Sequence, residues 1–224
     1  MQSSLRSPRV TRTLDRLHRN ARIDLLKIAL KAPFVVPDFL GFRKIDDDRL
    51  SHHMRSTYLP VTRTQGQMLY LMARSIDARR IVEFGTSFGI STLYLAAAVK
   101  DNGGGVVVGS ELDASKHAKA IEHLREAGLD AFTDVRLGDA LKTLADVEAP
   151  IDMVLLDGWK DTYLPVLKVV QPKLRRRAVV LADNIFTFKK ALRPYVEYVQ
   201  SEQNGFVSST LDISDGFELS VFMG

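Results

Sequence analysis

The chain has 224 residues, 46% of them hydrophobic, and a formal net charge of +4. It contains no cysteine, which excludes disulfides, thiolate metal sites and cysteine nucleophiles. No apolar run reaches the roughly 18 residues that indicate a membrane span, and the length suits one large domain with a real core.

The positive charge is concentrated near the N-terminus. Residues 1–31 contain eight Lys or Arg and two Asp, so the rest of the chain holds 23 basic and 25 acidic residues. Because the body is nearly neutral, the composition disfavours nucleic-acid binding, which needs a basic patch on the domain itself. The N-terminus has no apolar core of a secretory signal, and we expect a cytoplasmic location.

An apolar stripe in the same segment predicts an amphipathic helix. Its members recur at three- and four-residue steps: Val10, Leu14, Leu17, Ala21, Leu25 and Ile28. Such a helix packs on the body or on a partner subunit, so a homodimer is an open alternative, as is peripheral membrane contact. Since proline cannot continue a helix, we expect Pro33, Pro37 and Gly41 to end it.

Beyond a helix predicted over 64–76, strand and helix patterns alternate. Strands are predicted at 80–84, 106–111, 134–137, 152–157 and 178–183, and helices at 90–99, 114–128, 140–147, 162–174 and 188–203. Residues 206–222 are predicted to form two strands around a turn at Asp215-Gly216. This alternation predicts an α/β fold in which helices cover both faces of a parallel sheet. We assign residues 1–58 to a helical extension and 59–224 to the main domain.

Three acidic residues at successive strand ends indicate a cofactor site, because ligands bind at the carboxyl ends of parallel strands. Glu83 precedes a G-x-x-x-G loop and suits a cationic ligand, such as the amino or sulfonium group of S-adenosylmethionine. Glu111 is expected to accept ribose hydroxyls, and Asp139 to meet the adenine amino group. The alternative for each is a solvated acid or a helix cap. The loop lacks the G-x-G-x-x-G pattern, which disfavours a nicotinamide-dependent oxidoreductase.

Two further strands end in oxygen-bearing side chains. Asp157 follows IDMVLL, and Asp183 and Asn184 follow AVVLA. A buried carboxylate is costly unless it is paired or bound to a metal, so neighbouring strand ends of this kind suggest a shared site. The alternative is a helix-capping Asp157 and a turn at 183–184.

The motifs VEFGTSFGIST, GSELD, DMVLLDGWKDTYLP and VVLADN together resemble the catechol O-methyltransferase family, whose members depend on S-adenosylmethionine and Mg²⁺. The resemblance covers roughly residues 60–185. It implies a Rossmann-like class I methyltransferase fold, with a mostly parallel seven-stranded sheet, a C-terminal antiparallel hairpin and helices on both faces.

The resemblance also implies roles for individual residues. Asp157, Asp183 and Asn184 match the Mg²⁺ ligands, which agrees with the preference of Mg²⁺ for hard oxygen donors. Lys160 matches the general base, and a nearby metal ion would favour its neutral, proton-accepting form. The implied cofactor-binding residues are Val61, Glu83, Gly85, Ser87, Gly89, Ser91, Glu111, Leu112, Asp139, Ala140, Asp157 and Trp159. Trp159 would pack on adenine.

A loop before the first helix of the main domain, VTRTQGQ, matches the family's loop over the cofactor. Gln65 and Gly66 are expected to touch the cofactor there, and a helix cap is the alternative. The implied reaction is methylation of a catechol-like or vicinal-diol small molecule. A sugar or natural-product hydroxyl is the alternative acceptor.

Two departures from the family bear on the acceptor. Gly158 stands where animal catechol enzymes carry His, which predicts the loss of one wall beside the cofactor. The family's C-terminal Glu, which grips the second catechol hydroxyl, has no clear counterpart, and Asp212 is the candidate replacement. Met54, Tyr58 and Phe186 are candidates for the acceptor pocket, with core packing as their alternative role.

Overall fold

A seven-stranded sheet forms the centre of the molecule, in the order β3-β2-β1-β4-β5-β7-β6. The computed structural model describes residues 3–39 and 61–224, and for 24–39 it describes the backbone only. The strands are β1 Arg80–Phe84, β2 Val106–Glu111, β3 Thr133–Leu137, β4 Ile151–Leu156, β5 Leu174–Asp183, β6 Phe206–Leu211 and β7 Phe217–Phe222. β7 runs against β5 and β6, so the other six strands share one direction. The predicted fold class is confirmed.

Helices cover both faces of this sheet. They are α1 Pro8–Phe39, α2 Arg63–Ser75, α3 Ile90–Asp101, α4 Ala114–Ala127, α5 Ala140–Thr143, α6 Tyr163–Val170 and α7 Lys189–Gln200. One core lies under α1 to α4 and includes Leu17, Leu69 and Leu95. The other lies under α5 to α7 and includes Leu167 and Leu192. Strands that are apolar along nearly their whole length must be covered on both faces, and these two cores cover them. No helix in the described ranges is long and apolar enough to cross a membrane.

The N-terminal stripe packs on the body of its own chain. Its buried members are Val10, Leu14, Leu17 and Ala21. The ion pair of Arg63 with Asp15 and the 3.1 Å hydrogen bond between His18 Nε2 and the Tyr94 hydroxyl add polar contacts to the same interface. The side chains of Leu25 and Ile28 lie outside the description. The packing expectation is confirmed for the described residues, and a homodimer stays a prediction.

The end of α1 departs from the prediction. The helix continues through Pro33 and Pro37 to Phe39, so the expectation that these prolines end it was wrong. Each interior proline costs about 3 kcal/mol, but residues 25–32, LLKIALKA, lie just before Pro33 and favour helix. Residues 40–60, with Gly41, Met54 and Tyr58, lie outside the described residues.

Candidate active site

Two carboxylates meet at the carboxyl ends of β4 and β5. The strands are adjacent and parallel, with Leu156 beside Ala182, so Asp157 and Asp183 follow at the same edge. The Asp183 residue is 3% exposed, and the Asp157 side chain is 16% exposed. Burial raises the pKa of both carboxyl groups, and repulsion from Asp157 helps to raise that of Asp183 to about 7. A buried pair of like charges is stabilised by a cation placed between them.

Asn184 brings an amide oxygen to the same place. Its backbone has a φ of 65°, a left-handed conformation that Asn tolerates better than most residues. Its Oδ1 accepts a hydrogen bond from Lys160 Nζ at 2.6 Å, and its Nδ2 donates to Asp215 Oδ2 at 3.3 Å. The amide is therefore oriented with its oxygen toward the site.

The ammonium of Lys160 lies among these oxygens. Nζ is 2.6 Å from Asn184 Oδ1 and 3.4 Å from Asp157 Oδ1, and it also donates to the Tyr163 hydroxyl at 2.6 Å. A positive group thus already occupies the neighbourhood of two of the three predicted ligands. Within residues 3–23 and 61–224, no cluster of three or more His, Cys, Asp or Glu is arranged to hold a metal ion. A metal site here therefore depends on the Asn184 amide as its third donor.

The loop after β1 lies directly on the loop after β4. Gly85 has a φ of 95°, and a Cβ at this position would lie 2.6 Å from the backbone oxygen of Asp157. Glycine is required because any side chain would collide with this peptide. The loop that was predicted to hold the cofactor is thus fixed against the loop that carries Asp157 and Lys160.

The strand-end acid of β2 is held by two backbone donors. Ser87 N donates to Glu111 Oε2 at 2.7 Å, and Asp113 N donates to Oε1 at 2.8 Å. A carboxylate has about four acceptor positions, so these bonds fix its orientation and leave each oxygen able to accept another. This arrangement suits the two hydroxyls of a ribose. Leu112, the next residue, is 76% exposed and lies at the rim of the predicted cofactor site.

Glu83 is fully buried below the glycine loop. Its Oε2 accepts hydrogen bonds from Thr86 Oγ1 at 2.9 Å and Thr92 Oγ1 at 2.6 Å, whereas Oε1 has no partner among the described residues. Burial raises the pKa of Glu83 to about 7, although the Ser91, Thr92 and Thr86 hydroxyls oppose this shift. Because this oxygen is enclosed by protein atoms, the contact of Glu83 with the amino group of S-adenosylmethionine stays a prediction.

The remaining predicted cofactor residues differ in burial and in the contacts that they make. Gly89 has a φ of 82° and its Cα approaches Ala120 of α4, so it serves helix packing. Asp139 Oδ1 accepts from Leu141 N at 3.0 Å, which is the helix-cap role considered as its alternative. Trp159 is 43% exposed at the rim. Buried residues complete the set: Val61, Ser91 and Ala140.

Gln65 and Gly66 face inward. Gln65 Nε2 donates to both carboxylate oxygens of Asp183, each at 3.0 Å. A Cβ on Gly66 would lie 2.3 Å from the Tyr94 ring, so this glycine lets α2 approach α3. Gln65 also forms a capping box with Thr62, which is the helix-cap alternative. Their described contacts are therefore with Asp183 and with α3.

A family model described as a methyltransferase domain matches residues 82–185. The catechol O-methyltransferase of Niastella koreensis is 29% identical over 167 residues, which cover 70% of this chain and 73% of that protein. The catechol O-methyltransferase of Mycobacterium tuberculosis is 33% identical over 129 residues, or 57% of each chain.

A solved structure agrees with these relatives. The O-methyltransferase TomG from Streptomyces achromogenes, crystallised with S-adenosylmethionine, has a TM-score of 0.69 and 25% identity, covering 88% of this chain and 96% of that one. The chain is thus similar in sequence to catechol O-methyltransferases and matches a methyltransferase-domain model over residues 82–185. It is an S-adenosylmethionine-dependent O-methyltransferase with the class I fold, and the nicotinamide-dependent alternative is set aside.

The site of this O-methyltransferase contains two residues that the sequence analysis missed. Tyr163 is buried, accepts from Lys160 Nζ, and donates to the backbone oxygen of Asp183 at 3.3 Å. Burial raises the pKa of Tyr163 well above its ordinary value, so its hydroxyl stays protonated. Asp215 accepts from Asn184 Nδ2 and from Thr187 Oγ1 at 2.8 Å. Their sequence signals were a helix start and a hairpin turn, which indicate backbone structure rather than a role in the site.

Asp212, the proposed substitute for the family's C-terminal Glu, is exposed and has no hydrogen bond to the site in the described structure. Asp215 is instead the hairpin carboxylate that reaches the site.

Phe186 is 46% exposed and Phe188 is 37% exposed, so neither is a core residue. The Phe188 ring centroid lies 5.6 Å from Lys160 Nζ, which places an aromatic surface beside the proposed base.

Proposed function

We propose that this chain is a Mg²⁺-dependent O-methyltransferase that methylates a hydroxyl of a catechol-like or vicinal-diol small molecule. The observation that carries the proposal is the position of Lys160. Its Nζ lies 2.6 Å from Asn184 Oδ1 and 3.4 Å from Asp157 Oδ1, beside the buried Asp183. A general base next to a set of hard oxygen donors is the arrangement that metal-assisted deprotonation of a hydroxyl requires.

The donors fit a small divalent cation. Two carboxylates and one amide oxygen are hard ligands, and three protein donors leave positions for water and for substrate oxygens, as Mg²⁺ prefers. Asp157, Asp183 and Asn184 would hold the ion. When bound, Mg²⁺ supplies Lewis-acid activation of a substrate hydroxyl and positive charge between the two carboxylates.

The chain's own residues then carry out the transfer. Lys160 accepts the hydroxyl proton at Nζ, while the Tyr163 hydroxyl, 2.6 Å from Nζ, holds the side chain in place. The substrate oxygen forms a bond to the methyl carbon of the sulfonium, and the carbon–sulfur bond breaks to leave S-adenosylhomocysteine. Glu83 and Glu111 orient the cofactor. Much of the acceleration comes from holding the two reactants in line.

The rim favours an aromatic acceptor. Phe186 and Phe188 are large apolar side chains, and they are 46% and 37% exposed beside the site. Apolar walls with a few convergent polar groups are typical of sites for small aromatic ligands. A flat ring with two adjacent hydroxyls would contact these walls while its oxygens face the cation position and Lys160.

The test is methyl transfer from labelled S-adenosylmethionine to catechol, resorcinol and phenol, each with Mg²⁺ and with EDTA. Resorcinol is the matched control, since it has the same two hydroxyls in positions that cannot chelate one ion. We expect turnover of catechol in Mg²⁺ alone and little turnover of resorcinol. Equal turnover in EDTA would contradict the metal mechanism. Turnover of sugar hydroxyls in place of phenols would contradict the acceptor class.

A further inference from the structure

Asp183 is held by an amide that the proposed reaction does not use. Gln65 Nε2 lies 3.0 Å from Oδ1 and 3.0 Å from Oδ2 of this carboxylate, and the two residues are 2% and 3% exposed. They are 118 positions apart in the sequence. A hydrogen bond shared across both oxygens of a buried carboxylate restrains its rotation as well as its position.

The hydrogen bonds leave a defined part of the carboxylate open. Oδ1 accepts from Gln65 Nε2 and from the backbone N of Asn184 at 2.7 Å, whereas Oδ2 accepts from Gln65. Since each oxygen offers about two lone pairs, the open acceptor position is on Oδ2. Asp183 is therefore arranged to offer a cation one oxygen rather than a freely rotating carboxylate.

The amide of Gln65 is itself fixed. Its Oε1 accepts from the backbone N of Thr62 at 2.7 Å, and the Thr62 hydroxyl accepts from the backbone N of Gln65 at 3.2 Å. This capping box at the start of α2 orients the NH₂ group toward Asp183. The donor is also neutral, so it holds the carboxylate without cancelling the charge that a cation needs.

We propose that Gln65 is a positioning residue for the divalent-cation site, and that it holds Asp183 so that Oδ2 is presented to the ion. The inference rests on the proposed function, because it requires a cation at Asp183. Hydrogen bonds to metal ligands commonly change metal affinity by about 10- to 100-fold. Gln65 acts on the cation through Asp183 and need not touch the cofactor or the acceptor.

The competing explanation is a purely structural cap. Thr62→Ala breaks the same capping box from its other side while leaving the Gln65 amide beside Asp183. Gln65→Met keeps the volume and length of the side chain and removes its donor. Gln67→Met makes the same substitution on the exposed face of the same helix turn. A structural role predicts similar behaviour of Thr62→Ala and Gln65→Met, whereas a positioning role separates them.

The experiment measures Mg²⁺ affinity by calorimetry, and Mn²⁺ affinity by electron paramagnetic resonance, on the folded metal-free proteins. We expect Gln65→Met to weaken binding about 10-fold or more. Thr62→Ala and Gln67→Met should bind both ions like wild type. If Gln65→Met does not fold, Gln65→Asn, whose shorter amide cannot reach both oxygens, replaces it.

The outcomes separate the two claims. Unchanged metal affinity in a folded Gln65 variant would overturn the positioning role and leave the proposed function standing. Equal weakening in Thr62→Ala and Gln65→Met would also overturn it, in favour of the cap. A wild-type protein that binds neither Mg²⁺ nor Mn²⁺ would overturn the proposed metal mechanism, and the inference with it.

Discussion

The ring of Phe84 fills the space next to Gly158. A Cβ placed on Gly158 would lie 2.5 Å from Cζ of Phe84, well inside van der Waals contact. Phe84 also packs edge-on against Tyr163, with ring centroids 6.1 Å apart. The Phe84 ring therefore lies where a side chain at position 158 would begin. The glycine and the phenylalanine are complementary in volume, and neither can be changed alone without cost.

A double-mutant cycle tests this complementarity. We expect Gly158→Ala alone to lower the free energy of unfolding by about 1–3 kcal/mol, because it overpacks against the Phe84 ring. In a Phe84→Leu background the same change should cost much less, since the ring is gone. Urea denaturation of the four proteins measures the coupling. Additive effects would show that the two positions do not share this space.

Replacing Lys160 should separate catalysis from cofactor binding. We expect Lys160→Met to lower kcat about 100-fold or more, because the proton acceptor is lost, while S-adenosylhomocysteine affinity is unchanged. Lys168→Met, an exposed lysine on α6, is the matched control and should keep wild-type kcat. A Lys160→Met enzyme that retains most of its turnover would contradict the assignment of the base.

The raised pKa values of Asp183 and Glu83, both about 7, predict how stability depends on pH. Their ordinary values are 3.8 and 4.5, so the folded chain retains protons that the unfolded chain releases. The resulting stabilisation is complete below about pH 4 and is lost as pH rises through about 7. Metal-free protein should therefore show a falling Tm over this interval.

Mg²⁺ should reverse this trend, because it binds the deprotonated carboxylates. The increase in Tm on adding Mg²⁺ is expected to be small near pH 5 and larger near pH 8. In Asp183→Asn the increase should be reduced at every pH, and part of the fall in Tm of the metal-free protein should disappear. A Mg²⁺ effect that is larger at low pH would contradict the linkage.

Glu111 should contribute to cofactor affinity. Glu111→Ala takes away the predicted acceptor of two ribose hydroxyls and the partner of Ser87 N. We expect the Kd of S-adenosylhomocysteine, measured by calorimetry, to rise about 10- to 100-fold. Glu122→Ala on the exposed face of α4 is the control, and it should bind as wild type does. Equal affinities of the two variants would remove Glu111 from the cofactor site.

The fold could be predicted from the sequence because alternating strand and helix patterns restrict the possible architectures. The convergence of Asp157 and Asp183 followed from the same reasoning, since parallel strands end at one edge of the sheet. These inferences depend on local periodicity and on rules of topology. They required no knowledge of individual side-chain contacts.

Contacts between distant segments could not be predicted in this way. The pairing of Gln65 with Asp183 depends on where α2 docks, and Phe84 beside Gly158 depends on how two loops cross. Asp215 was interpreted from its turn chemistry, which fits a hairpin and contains no information about Asn184. The end of α1 was predicted wrongly for a different reason. The expectation counted the cost of single prolines in a helix and left out the helix propensity of the whole segment.

The measurement that tests the central claim most directly is the rate of catechol methylation as Mg²⁺ is titrated into metal-free enzyme, for wild type and for Asp183→Asn. We predict that wild-type activity rises from near zero and saturates at the Mg²⁺ concentration at which calorimetry shows binding, and that Asp183→Asn needs at least about 10-fold more Mg²⁺. Full activity of the metal-free wild type, or identical titration curves for the two proteins, would contradict the account.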